Sequence, residues 1–529
     1  MKVLITDGLS KDGIQISESS TELQVDSKKG LPKEELLKIL KDYDALIVRS
    51  ATKVTSEVID ATDGKLKMIG RAGIGVDNID IPAATKKGIV VMNTPEANAI
   101  TTAEHTIAMM FAIARRIPQA HKSLTAGEWN RDKYKGRELY GKTLGVIGLG
   151  NIGKLVAERA LGLKMRVIGY DPLITEDAAS RLGVELVDLE ELIRSADIIT
   201  IHTPLTAETK DLINKKSIEK MKQGVLIINC ARGGIVNEND LAEAAKTGKI
   251  GGAALDVYVS EPPDSRDELL SAEDSIVYTP HLGASTEEAQ QKVGIAMAEQ
   301  TVDFLVNGVV RNAVNMPSLS LDVLNRMKPY ITLMEKLGSL QGQLSKSGVM
   351  EINIEYYGDV SEFDTAPLTV AALKGFLTPI MDVVVSYVNA PVIAKDKGIK
   401  ILESKSADSE DYTSLVKMVV KTDKSQSSVS GTIFGKEEPR IVRVNGFPID
   451  VIPEGYLLIN ENLDKPGFIG ALCTLLGEKG VNIARLHLGR ESIGGKAISF
   501  INIDTPVSRE IEVEISKLPD HISVTQVKL

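Results

Sequence analysis

The stretch Thr143-Leu-Gly-Val-Ile-Gly-Leu-Gly-Asn-Ile-Gly153 joins a strand-like apolar run to a glycine turn, and a second apolar run, Met165-Arg-Val-Ile-Gly-Tyr170, ends on Asp171. The order is strand, glycine turn, helix, strand, acid. Gly148 permits a tight turn, Gly150 lets backbone approach a pyrophosphate, and Gly153 lets the helix pack closely on the strand. That helix aims free N–H groups at the phosphates. Asp171 lies 18 positions beyond Gly153, close to the spacing of about 20 at which an acid binds a ribose 2′-hydroxyl. A carboxylate there repels the 2′-phosphate of NADP, so the expected cofactor is NAD.

Outward from this centre, apolar runs at 166–170, 198–202, 225–229, 252–256 and 276–279 continue a doubly wound parallel α/β sheet. Residues 1–97 alternate short apolar runs with amphipathic stretches and read as a flavodoxin-like parallel α/β domain. Residues 101–116 form a strongly apolar helix, expected to be buried between domains or subunits, with His105 in its core. A further helix is expected from Ser285-Thr-Glu-Glu288, which fits a capping box, to Asn307-Gly308. The segment Ala313-Val-Asn-Met-Pro-Ser318 reads as a linker. A different α/β region without a chemical motif follows to 453, and 454–529 has the βαββαβ order of a ferredoxin-like unit. The domains expected are 1–97 (completed by 286–315), 98–285, 316–453 and 454–529.

The 529 residues exceed what one core supports. A net charge of −10 argues against a nucleic-acid surface, and means that an anionic substrate needs a local cluster of cations. No apolar run is long enough to span a bilayer, so no membrane partner is expected. Met1-Lys-Val-Leu-Ile-Thr6 opens directly with a strand and carries no signal-peptide pattern. The two cysteines, Cys230 and Cys473, lie in different expected domains. A metal site or disulfide framework is therefore not expected, and a reducing cytoplasm fits.

Three polar side chains stand where strands are expected to end, on the ligand-binding edge of an open α/β sheet. Arg232 follows Leu226-Ile-Ile-Asn-Cys-Ala231, Glu261 follows Ala254-Leu-Asp-Val-Tyr-Val-Ser260, and His281 follows Ile276-Val-Tyr-Thr-Pro280. Together they suit 2-hydroxy-acid oxidation. An arginine can clamp a carboxylate in a two-point hydrogen bond. A histidine can take the hydroxyl proton as hydride leaves C2. A glutamate can orient the imidazole and stabilise its cation. The competing reading is a surface Arg232–Glu261 pair with His281 as a capping or core residue. His202 ends a strand, where it could face the cofactor, but reads first as structural; His121, His487 and His521 have no partner evident from sequence.

The motifs Arg71-Ala-Gly-Ile-Gly-Val-Asp-Asn78, Gly148 to Gly153, Asn229-Cys-Ala-Arg-Gly-Gly234, Ala254-Leu-Asp-Val257 with Glu261-Pro-Pro263, and Thr279-Pro-His-Leu-Gly-Ala284 resemble those of the D-isomer-specific 2-hydroxy-acid dehydrogenases. Arg49-Ser50 and the long C-terminal extension resemble the long-form branch of this family, which oxidises 3-phosphoglycerate and carries an intervening and an ACT domain. The resemblance spans essentially the whole chain.

It implies Arg232, Glu261 and His281 as catalytic residues. It implies NAD contacts at Asn151, Ile152, Asp171, Thr203, Cys230, Ala231, Arg232, Asp256, His281, Gly283 and Ala284, besides the three turn glycines. Ile74 stands where relatives often have Thr, so only a backbone or packing contact is expected there. The substrate phosphate is expected at Arg49 and Arg71, with Ser50 and the Gly73 backbone nearby and Arg131 lent by a neighbouring subunit of a homotetramer. In the ACT unit, Asn462, Asp464 and Asn482 are expected to bind L-serine between two subunits as a feedback effector. Another D-2-hydroxy-acid dehydrogenase, such as a glyoxylate or hydroxypyruvate reductase, and a non-enzymatic NAD-sensing scaffold stay open as alternatives.

Overall fold

The computed structural model describes all of the chain except Glu96, residues 265–267, residues 318–320, Lys346 and Glu410, and the side chains of residues 321 and 322. Four sheets follow one another along it. The first is wholly parallel, in the order Gln24–Ser27, Lys2–Ile5, Ala45–Val48, Met68–Arg71, Val90–Asn93. This 2-1-3-4-5 order is flavodoxin-like, and its switch point falls between Lys2–Ile5 and Ala45–Val48, so Arg49 and Ser50 stand at the carboxyl edge where such sheets bind ligands. The edge strand Gln24–Ser27 and the helix Lys11–Ser19 were not anticipated from sequence.

The second sheet is also parallel throughout, in the order Ile276–Tyr278, Ile250–Leu255, Val225–Asn229, Ile198–Ile201, Thr143–Ile147, Arg166–Tyr170, Glu185–Leu186. Its strands are near-continuous Val, Ile and Leu because helices cover both faces. The order reverses beside Thr143–Ile147, which delivers the glycine turn to the crevice of a doubly wound fold.

The apolar helix spans Ala99–Arg115 and buries one face, including Thr102, Ala103, Thr106 and Met110, while Ile100 and Phe111 stay exposed. His105 is not a core histidine: its Nε2 lies 3.3 Å from Asp256 Oδ1 and 3.3 Å from Thr279 Oγ1. The helix Glu287–Asn307 returns to the first sheet, where Met297 is buried beneath Gly70. Its N-cap is Thr286, whose hydroxyl accepts from Ala289 N–H; the expected Ser285 capping box is displaced by one residue and lacks its glutamate. Gly308 closes the helix in a left-handed conformation, as Asn307-Gly308 foretold.

The segment read as a linker is tied down. Ala313 bridges Met92, and Val314 N–H donates to Val91 O. The Asn315 side chain accepts from Val91 N–H and donates to Ile89 O and Thr85 Oγ1. Ser318, the last residue of that reading, lies outside the described residues.

The region expected as a second type of α/β unit holds a six-stranded mixed sheet in which four of the five strand pairings are antiparallel and one, Val349–Gly358 with Lys400–Ser406, is parallel. Helices Leu321–Leu344 and Ala366–Leu377 pack together beside it. The last sheet is antiparallel, in the order Ile483–Arg490, Lys496–Ile503, Tyr456–Leu463, His521–Lys528, with helices Phe468–Glu478 and Arg509–Ile515, the βαββαβ arrangement read from sequence.

The two faces of this last sheet go to different cores. Leu458, Ile501 and Ile503 pack under its own helices. Leu457, Ile459, Ile498, Phe500 and Val527 join one continuous cluster with Leu337, Ile354, Phe376 and Met418 of the preceding region. Gln343 adds a two-way hydrogen bond to the backbone of Lys528.

Candidate active site

The carboxyl edges of the two parallel sheets face one another across a cavity of about 440 Å³. Val225–Asn229 carries Cys230, Ala231 and Arg232; Ile250–Leu255 carries Asp256; and the backbone beyond Ile276–Tyr278 carries His281. His281 Nδ1 lies 2.7 Å from Glu261 Oε2, and Glu261 Oε1 accepts from Tyr258 N–H at 3.2 Å. Partial burial alone would raise the Glu261 carboxyl; the hydrogen bond from His281, its charge and the Tyr258 N–H hold it below the ordinary value.

His281 has φ +54, a left-handed conformation uncommon for a residue with a side chain. Asp256 holds it there. This fully buried carboxylate accepts from Leu282 N–H at 2.7 Å and Gly283 N–H at 2.8 Å, on the two residues after His281, and from Thr279 Oγ1 at 2.6 Å, two before it. Burial pushes the Asp256 pKa up, but these bonds and His105 outweigh it and leave the group below its usual range. Cys230 is the opposite case: burial and the Asp256 charge push its thiol up to about 12, so it stays neutral and contributes packing.

From the first sheet come the arginines. Arg71 Nη2 donates to Ser50 Oγ at 2.9 Å, and its guanidinium folds over Gly73, where a Cβ would overlap it. Burial, then the charges of Arg232 and Arg49, push the Arg71 pKa down to about 10, so it remains cationic at neutral pH. Asn78 ties this loop to its neighbour by donating to the carbonyls of Arg49 and Thr52, both at 2.7 Å.

The dinucleotide side fits the roles read from its glycines. Gly148 has φ +91, a Cβ on Gly150 would meet nothing within 4 Å, and a Cβ on Gly153 would overlap the Gly148 carbonyl. Asp171 Oδ2 accepts from Leu149 N–H at 2.8 Å, which sets the acid beside the turn. Asn151, Ile152, Thr203, Gly283 and Ala284 line the cleft, and Thr203 Oγ1 is a buried hydroxyl lacking a protein partner. The open approach at Gly150, the adjacent acid and this unsatisfied hydroxyl together fit a dinucleotide. Ile74 lines the cleft while Asn93 Nδ2 bonds its carbonyl at 2.6 Å.

Arg131 is exposed and is not among the cleft-lining residues. The expected effector residues are likewise not brought together within one chain. Asn462 lies inside the strand Tyr456–Leu463 and is buried, its Nδ2 donating to Leu463 O. Asp464 Oδ2 receives Arg490 Nη1 at 3.3 Å at that end of the sheet. Asn482 donates to Asp504 at 2.7 Å, beside Ile503, which pairs with Tyr456 at the opposite end. Roughly 20 Å of strand separates the two groups.

Sequence reasoning missed Asp77, Asn98, Thr102 and Gln290 on the cleft wall and favoured a structural role for His202 over the cofactor-facing one it also offered. His202 lines the cleft with its Nε2 3.0 Å from Thr200 Oγ1; burial drives its pKa down to about 3, keeping it neutral. Of these, only Asp77 carried a signal in sequence, as an acid inside a glycine-rich loop.

Fold and cleft together define a D-isomer specific 2-hydroxyacid dehydrogenase. The family model of that description, its NAD binding domain, matches residues 107–283; the D-3-phosphoglycerate dehydrogenase intervening domain matches 326–445, and the ACT domain 456–520. D-3-phosphoglycerate dehydrogenase from Methanocaldococcus jannaschii is 46% identical over the whole of both chains, and that of Bacillus subtilis is 43% identical over 100% of this chain and 99% of its own. The chain belongs to the D-3-phosphoglycerate dehydrogenase family. Among solved structures, D-lactate dehydrogenase from Aquifex aeolicus, complexed with NAD and lactic acid, matches 60% of this chain and 100% of its own at 30% identity, with a TM-score of 0.53.

Proposed function

We propose that the cleft oxidises 3-phospho-D-glycerate at C2 to 3-phosphooxypyruvate with NAD, the first step of L-serine biosynthesis. The observation that carries this reading is the His281–Glu261 pair at 2.7 Å, with Arg232 on the same wall of a cleft whose other wall holds Arg71 and Arg49. NAD, when bound, supplies the hydride acceptor. His281 takes the proton of the C2 hydroxyl through Nε2, because Glu261 occupies Nδ1 and stabilises the imidazolium that forms. Arg232 presents its guanidinium to the substrate carboxylate. Arg71 and Arg49 meet the phosphate, whose negative charge relieves the repulsion between the two guanidinium groups. Arg131 serves the phosphate site of a neighbouring subunit.

The chain works as a homo-oligomer, a tetramer, in the cytoplasm. Ile117, Leu124, Trp129 and Tyr140 are exposed in the stretch of chain that holds Arg131, with Trp129 80% exposed, which suits a subunit interface. L-serine binds where the ACT units of two chains meet, since Asn482 joins Asn462 and Asp464 only if a second copy brings it. The test is NADH formation with 3-phosphoglycerate, with and without L-serine, on a protein whose mass in solution is measured. Absence of turnover removes the enzyme reading. Turnover of unphosphorylated 2-hydroxy acids at equal kcat/KM removes the substrate assignment.

A further inference from the structure

The loop Ala72–Ile79 of the first sheet reaches across the cleft and grips a residue of the second. Arg232 Nε donates to Asp77 Oδ2 at 2.7 Å, an ion pair between residues 155 positions apart. Arg232 Nη1 donates to Ala231 O at 2.6 Å. The guanidinium lies against the bare backbone of Gly75, where a Cβ would overlap Nη2. Its own backbone is fixed from below, because Asn229 Nδ2 donates to the Arg232 carbonyl at 2.9 Å. Of the five N–H donors of an arginine, two are thus spoken for. The three that remain are on Nη1 and Nη2, the end suited to gripping a carboxylate at two points.

We propose that Asp77 is a positioning residue for this dehydrogenase: by holding Arg232 at Nε from the opposite domain, it orients the Nη1 and Nη2 donors toward the substrate carboxylate. The inference rests on the reading of Arg232 as the carboxylate clamp. The charge of Asp77 has a second use. It opposes the mutual repulsion of Arg71 and Arg232, so the cluster holds together before an anion arrives. An aspartate suits this place better than a longer acid, since Asp77 reaches Nε without passing over the Nη end.

The experiment compares Asp77→Ala, Asp77→Asn, Arg232→Ala and the double variant Asp77→Ala/Arg232→Ala in the full chain, with NADH binding followed by fluorescence as the check on folding. Asp77→Ala is expected to lower kcat/KM for 3-phosphoglycerate about ten- to a hundredfold, the range for a lost hydrogen bond to a charged group, with NADH affinity unchanged. Asp77→Asn keeps an acceptor for Nε and is expected to restore most of that loss. In the double variant the Asp77 loss disappears, because there is no guanidinium left to orient. Arg232→Ala with wild-type activity would overturn the clamp reading and this proposal with it. An impaired Arg232→Ala alongside an unaffected Asp77→Ala, or losses that multiply in the double variant, would overturn the role of Asp77 alone.

Discussion

His281 Nδ1 and Glu261 Oε2 meet at 2.7 Å, yet neither residue lies in a strand or helix. Each is placed by the turn beyond a parallel strand, and the histidine turn is itself pinned by Asp256 through Leu282 and Gly283. Behind the proposed base and its orienting acid thus stands a buried carboxylate that shapes the histidine loop. Replacing His281 by Ala is expected to lower kcat roughly a hundredfold or more, within the range of general base catalysis, with little change in NAD affinity. Stopped-flow separation of hydride transfer from product release checks it, and near wild-type chemistry would remove His281 from the mechanism.

Asp256 gives a pH prediction. Its folded-state pKa is depressed, so its contribution to stability is present above the unfolded carboxylate value and is lost as pH falls through the folded one. Asp256→Asn should thus cost about 1.5–3 kcal/mol at neutral pH, the range for hydrogen bonds to a charged group. The gap between variant and wild type should close as the medium is taken below the ordinary carboxylate range. Denaturant melts at several pH values measure this; a constant gap would mean that Asp256 is not ionised in the fold.

Arg71→Ala should raise KM for 3-phosphoglycerate about ten- to a hundredfold and leave an unphosphorylated 2-hydroxy acid far less affected. Ser50→Ala, which removes only the hydroxyl that Arg71 Nη2 bonds at 2.9 Å, should give a smaller change in the same direction. Equal losses on both substrates would show that Arg71 does not read the phosphate.

Two truncations should behave differently. Removing residues 454–529 strips Leu457, Ile459, Phe500 and Val527 from a core they share with Leu337 and Ile354. The remaining part of the intervening domain should lose cooperative unfolding and aggregate. Removing 316–529 instead leaves the portion that free-standing dehydrogenases match over their full length, and should retain activity without any serine response. Scanning calorimetry with activity assays distinguishes the two, and a well-folded first truncation would contradict the shared core.

The glycine turn, its acid and the strand-end triad of Arg232, Glu261 and His281 were legible because each sits at a fixed offset from an apolar run. What crossed between sheets was not. The Asp77–Arg232 pair depends on how two separately folded sheets face each other, and no local pattern encodes that. Residues 313–315 read as a linker because an isolated bridge to Met92 leaves no periodicity. Asn462, expected to bind an effector, lies instead within strand pairing to Ala497. The run Leu457-Leu-Ile459 did hold a hint of the shared core: consecutive apolar residues in a strand mean that both faces are covered.

That shared core also sets a timetable for synthesis. Domains fold as units while the chain emerges from its N-terminal side. The two parallel sheets have all their strands once Tyr278 has been made, and their closing ties once Asn315 follows. The mixed sheet must wait for Val527 and Lys528, about 200 residues later, before its own interior is closed. A ribosome carrying this chain would thus hold two finished parallel sheets beside an unfinished C-terminal part, with apolar surface that needs shielding until the last strand is delivered.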